Sequence, residues 1–168
     1  SVTSATVQQG TTSIMTVTTN VSSPTWSIDG GANSSVFTIN SSGQLAFNSA
    51  QGLGTYEVIV KAASTDGNAT QTITVTVVDT EAPIFSVSTP QNWSPTHSGG
   101  TLVVSSLQDE CSYTLGGPDQ QYFSITTDGY LSFSGAAPAQ GDYAITVTCT
   151  DPGNNTTTHP LIVNVLAA

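Results

Sequence analysis

Apolar and polar residues alternate along most of the chain, so that every second side chain belongs to one face, and no stretch repeats at helical spacing. Short runs of this kind cover residues 14–17, 26–28, 36–39 and 44–47, and longer ones cover 56–62 and 72–77. Between them lie Asp29-Gly30-Gly31, Ser41-Ser42-Gly43 and Thr65-Asp66-Gly67-Asn68, clusters of residues that suit tight turns. About seven short strands at such close spacing predict an antiparallel sandwich rather than a parallel sheet.

The second half of the chain repeats this plan. Tyr113-Thr114-Leu115-Gly116-Gly117 answers Trp26-Ser27-Ile28-Asp29-Gly30-Gly31, and Gly141-Asp142-Tyr143-Ala144-Ile145 answers Gly54-Thr55-Tyr56-Glu57-Val58. The offset runs from 86 (Phe37 to Phe123) to 88 (Val75 to Val163), and the order never breaks. The seam falls in Val77-Val78-Asp79-Thr80-Glu81-Ala82-Pro83-Ile84-Phe85. The expectation is two tandem domains, residues 1–80 and 81–168, each large enough to fold alone.

Strand parity assigns the cores. In the first domain Trp26, Ile28, Phe37, Ile39, Leu45, Phe47, Tyr56, Val58, Val60, Val75 and Val77 point inward, and the matching residues of the second domain do the same. Trp93 has no counterpart in the first half and lies in Pro90-Gln91-Asn92-Trp93-Ser94-Pro95, which reads as a loop. It is therefore expected as an exposed contact residue.

Charge removes whole classes of function. Eleven acids face one Lys and no Arg, for a net charge of −10. Binding to a nucleic-acid backbone or to an anionic membrane needs a cluster of basic side chains, and none exists. The acidity serves solubility, or in part a divalent cation. Fifty residues are Ser or Thr, which suits exposed strand faces. No apolar run is long enough for a transmembrane helix. The polar start without Met suggests a fragment of a larger secreted or surface protein.

The order aromatic-Ser-Ile, Gly-Gly, Phe-x-Ile, Gly-x-Leu, Tyr-x-Val-x-Val-x-Ala and Val-x-Asp ahead of Pro-x-Phe resembles the cadherin repeat, from about Gly10 to Phe85 and again from about Gly99 to Val165. The resemblance implies all-β architecture: two tandem Greek-key sandwiches, immunoglobulin-like and cadherin-like, of seven strands each. It also implies an extracellular, cell-surface module of adhesion or spacing, with other surface or matrix proteins or a like copy as partner. In that family the junction binds Ca²⁺ through acids. Carried over by residue, Asp79 matches the first acid of the linker, Glu81 matches approximately, Asp109 loosely, and Asp151 matches the acid after the long Tyr-initiated strand. The pattern is degenerate. Ala50-Gln51-Gly52-Leu53-Gly54 stands without a carboxylate where the family has acids, and Gln8 or Gln9 replaces an early glutamate. Calcium draws on about six to eight oxygens, so zero or one weak Ca²⁺ is expected. A calcium-free junction held by Pro83, Ile84 and Phe85 is the alternative.

In a sandwich of that topology the strands of Cys111 and Cys149 are neighbours, and both cysteines share parity with core residues. A disulfide between them closes a loop of 38 residues, worth about 3–4 kcal/mol in the chain-entropy model, and fits an oxidising compartment. Seven Asn-x-Ser/Thr sequons permit glycosylation. His97 and His159 have no nearby Cys or His in sequence, which argues against zinc. No nucleophile elbow, phosphate loop or His-Ser motif of an enzyme is present. Two further readings stand beside adhesion: a carbohydrate- or matrix-binding module using Trp93 and Tyr130, and an accessory sandwich of a larger secreted enzyme.

Overall fold

The computed structural model describes residues 3–106 and 110–168, and the chain divides into two compact units, Ser1–Thr80 and Glu81–Ala168. Both are built of β-strands, with a single turn of 3-10 helix in each as the nearest thing to a helix among the described residues.

The first unit contains β1 (Ser4–Gln8), β2 (Ser13–Thr16), β3 (Thr25–Gly30), β4 (Phe37–Ile39), β5 (Gln44–Phe47), β6 (Gly54–Ser64) and β7 (Gly67–Val78). One sheet has the order β1-β7-β6-β3 and the other β2-β5-β4. The chain changes sheet after β1, β2, β3 and β5, the crossing pattern of a Greek-key sandwich. Alternation places Val58, Val60, Ile73, Val75 and Val77 on the inner face of one sheet against Phe37, Leu45 and Phe47 of the other. Trp26, Ile28, Ile39 and Tyr56 pack on this core and stay partly exposed.

The second unit contains β8 (Phe85–Val87), β9 (Gln91–Trp93), β10 (Thr101–Leu102), β11 (Val104–Ser106), β12 (Ser112–Gly116), β13 (Phe123–Ile125), β14 (Tyr130–Phe133), β15 (Gly141–Thr150) and β16 (Thr156–Val165). Its larger sheet runs β12-β15-β16-β9, facing β10-β14-β13, while β8 and β11 form a short antiparallel pair. Tyr113, Phe123, Leu131, Ile145, Val147 and Val163 lie in its core as parity required, joined by Phe85, Trp93, Val103 and Leu161.

The same devices recur in each unit. Gly31 (φ +105) and Gly117 (φ +92) carry the chain past the neighbouring strand, where a Cβ would stand 2.6 Å from the Val58 Cα and 3.0 Å from the Ile145 Cα. Two residues on, Asn33 accepts from the Glu57 amide at 2.9 Å and Asp119 from the Ala144 amide at 2.8 Å. Tyr56 and Tyr143 each donate their hydroxyl to the carbonyl four residues back, Gly52 at 2.9 Å and Ala139 at 2.8 Å, the tie known as a tyrosine corner in Greek-key sandwiches. The first strand of each larger sheet runs parallel to the last, β1 on β7 and β9 on β16.

Candidate functional site

Two of the acids expected at a junctional cation, Asp79 and Asp151, accept from side-chain amides. Asp79 follows the end of β7, where Gln8 at the end of β1 donates from Nε2 to Asp79 Oδ1 at 2.8 Å. The other end of the same amide, Gln8 Oε1, accepts from the Thr80 hydroxyl at 3.1 Å and the Thr80 amide at 3.3 Å. Parallel pairing of β1 with β7, which sets Gln8 opposite Val78, brings these groups together.

Asp151 is 4 % exposed and sits at the start of the β15–β16 turn. Its carboxylate accepts from the Asn155 amide at 2.8 Å and from Asn155 Nδ2 at 3.1 Å. Its own backbone closes the turn by donating to the Asn155 carbonyl and accepting from the Asn154 amide. A buried carboxylate of this kind is retained because its lone pairs are satisfied. Glu81 is exposed, and Asp109 lies outside the described residues. Among the described residues, no three His, Cys, Asp or Glu side chains form a group that could hold a metal ion.

Cys111 and Cys149 form a disulfide across a sequence separation of 38, with Cα atoms 5.5 Å apart. Cys149 lies in the core, and Tyr113, two residues beyond Cys111, pairs with it in the β12–β15 ladder.

Trp93 corrects the expectation of an exposed contact. It is 3 % exposed, stacks on His97 with ring centroids 4.2 Å apart, and meets Phe133 edge-on at 5.1 Å. The physical reason is β9: pairing with β16 sets Trp93 opposite Val165 and turns its ring onto the inner face. Tyr130 is exposed at 44 %. At the seam, Pro83 and Phe85 are buried and Ile84 is exposed.

Alternation alone does not reveal a groove of about 560 Å³ in the first unit. One wall is the loop after β2, including Val17, Thr18, Thr19 and Asn20. The floor is Trp26, Val60 and Ala62 of the larger sheet, and Ala69, Thr70 and Gln71 on β7 form the far side. Ala62 and Ala69 face each other in the β6–β7 ladder and are too small to fill the space. The sequence signal was there: the facing pair in the other unit is Cys149 and Thr157.

No protein-family model matches the chain, and no characterised protein matches it in sequence. Among solved structures it is similar to Drosophila N-cadherin EC1-4, at 18 % identity and a TM-score of 0.45, covering 97 % of this chain and 48 % of that one. It is similar also to human protocadherin-24 EC1-2, at 16 % identity and a TM-score of 0.45, covering 99 % and 94 %. Mouse cadherin-23 EC22-24 follows at 19 % identity and a TM-score of 0.41, covering 99 % and 63 %. The chain thus spans about half the length of the N-cadherin fragment.

Proposed function

We propose that these two sandwiches act as an extracellular adhesion or spacer module of a larger surface or secreted protein. The observation that carries the reading is the recurrence of one set of supports in both units: the positive-φ glycines Gly31 and Gly117, the Tyr56 and Tyr143 ties, and a first strand parallel to the last. Repeating a module that closes its own core lengthens a protein without a catalytic centre. A disulfide inside the second unit suits an oxidising compartment. No described helix is long and apolar enough to cross a membrane.

The reading places the partners among surface or matrix proteins, a like copy included. Lys61, the single Lys or Arg, lies 3.8 Å from Asp29, which leaves the surface acidic and directs recognition toward neutral or basic partners. Calcium has an accessory part in this reading, because Asp79 and Asp151 already accept from the Gln8 and Asn155 amides. Sedimentation velocity over a wide concentration range tests the module: a monomer or a reversible self-associating species supports it. Turnover of a generic ester, glycoside or phosphate substrate that co-purifies with the monomer would contradict it. The carbohydrate-binding alternative keeps Tyr130 as its exposed aromatic, and glycan-array binding lost on Tyr130→Ala would favour it over adhesion.

A further inference from the structure

The seven sequons are not equivalent once the fold has formed. Glycosyl transfer replaces a hydrogen on the asparagine Nδ2, so the amide has to be free of the fold's own hydrogen bonds. Four of the seven amides are engaged. Asn33 Oδ1 accepts from the Glu57 amide at 2.9 Å, and Asn92 Oδ1 accepts from Asn164 Nδ2 at 2.8 Å. Asn40 donates to Gln44 Oε1 at 2.6 Å and accepts from the Ser42 and Gln44 amides. Asn155 donates to the buried Asp151 carboxylate from its Nδ2 and its backbone amide. A glycan at any of these would crowd a contact that closes a turn or joins two strands.

Asn20, Asn68 and Asn154 are exposed, and their side-chain amides make no hydrogen bond among the described residues. Asn154 sits in the β15–β16 turn with φ +64, its backbone amide donating to the Asp151 carbonyl. Asn68 instead lies on extended backbone, the second residue of β7, opposite Ala63. Thr70, the hydroxyl residue of its sequon, is exposed two positions on, so amide and hydroxyl leave the same face of the strand. That face is the outer one, because Ile73, Val75 and Val77, of the other parity, are buried. Every residue from 65 to 70 is exposed, the longest such run among the described residues. Asp66, in the turn that joins β6 to β7, also places an acid two residues ahead of Asn68, and none of the other six sequons has one there.

We propose that Asn68 is an N-glycan acceptor site, read together with Asp66 and Thr70. The donor is an oligosaccharide carried on a polyprenyl diphosphate. In the transfer Asn68 Nδ2 bonds to the sugar C1, the C1–oxygen bond to the diphosphate breaks, and the amide proton passes to a base of the transferase. The polyprenyl diphosphate leaves, and nothing is oxidised or reduced. The Thr70 hydroxyl offers the enzyme a hydrogen bond beside the amide, and the Asp66 carboxylate pairs with a basic side chain of a transferase that reads that position. Such transfer takes place on the side of the membrane where disulfides form, which the Cys111–Cys149 bridge suits. The acceptor site is independent of the adhesion or spacer reading and holds equally for either.

The test is transfer in vitro to the folded 168-residue chain, with an oligosaccharyltransferase of the acid-requiring class and a polyprenyl-diphosphate-linked N-acetylhexosamine oligosaccharide. Intact mass and peptide mapping should show one glycan, on Asn68, and none on the Asn68→Gln chain. Asp66→Asn should slow transfer at least about tenfold, the loss of one charge-assisted contact to the enzyme. Thr70→Val should bring it to background, and Thr70→Ser should restore most of it. Asp66 and Thr70 are exposed, so these variants are expected to keep the parent's unfolding midpoint. No glycan on Asn68 overturns the proposal. So does transfer that goes mainly to other sequons, that reaches Asn68 only in the unfolded chain, or that proceeds equally on the Asp66→Asn chain.

Discussion

Gln8 and Asp79 meet at 2.8 Å across the β1–β7 pair, the amide donating and the carboxylate accepting, while the same amide receives two hydrogen bonds from Thr80. One neutral side chain thus ties together the first strand, the last strand and the residues that leave the unit. The amide donates to one oxygen of the Asp79 carboxylate, a group that a cation would otherwise neutralise.

Replacing Gln8 should therefore cost stability in a charge-dependent way. Gln8→Ala is expected to lower the first unit's stability by about 1 kcal/mol, the net worth of a typical hydrogen-bonded contact. Gln8→Glu should lower it further, because a second carboxylate then faces Asp79. Raising ionic strength should narrow the gap between the two variants by screening that repulsion. Calorimetry in low and high salt measures both.

Cys111→Ala with Cys149→Ala is expected to destabilise the second unit by about 3–4 kcal/mol, the entropy of the loop that the disulfide closes, and to leave the first unchanged. Urea unfolding, followed by probes in each unit, should show one midpoint move and the other stay.

Trp93→Ala is expected to cost about 3–5 kcal/mol, as for other large aromatics removed from a core. A Trp93 that served recognition would instead lose binding with little change in midpoint. Thermal unfolding of the variant separates the two.

That residue also shows where sequence reading stops. The long strands were legible because Tyr56, Val58 and Val60, or Ile145 and Val147, alternate without interruption, and the Gly43 and Gly129 turns mark register beside them. The short strands β8 to β11 were not. Two or three residues carry no period, and the prolines around Trp93 read as loop chemistry. What makes Gln91–Trp93 a strand is its parallel partner some seventy residues later, a long-range pairing that local pattern does not encode. Asp151 was likewise visible as an acid at a strand end, but its role follows from Asn155, and the turn-rich run Asp151-Pro152-Gly153-Asn154-Asn155 was the available signal. In sequence Asp79 is a match to the calcium pattern and Gln8 a departure from it; the β1–β7 register shows that they answer each other.

Gly31→Ala should be far more costly than Gly10→Ala. Both have positive φ, at +105 and +85, but a Cβ at Gly10 meets open space while one at Gly31 stands 2.6 Å from the Val58 Cα. About 1–2 kcal/mol is expected at Gly10 from backbone conformation alone. Gly31 should add about 1–3 kcal/mol for displaced backbone. Comparing the two denaturation midpoints isolates the close approach.

The central claim is that the amides of Gln8 and Asn155, which donate to Asp79 and Asp151, leave these two acids without need of calcium. Differential scanning calorimetry of the 168-residue chain, in chelator and then in millimolar calcium, tests it most directly. The expected result is the same pair of unfolding midpoints in both buffers. A saturable rise of either midpoint with calcium, abolished by Asp79→Asn or Asp151→Asn, would contradict it.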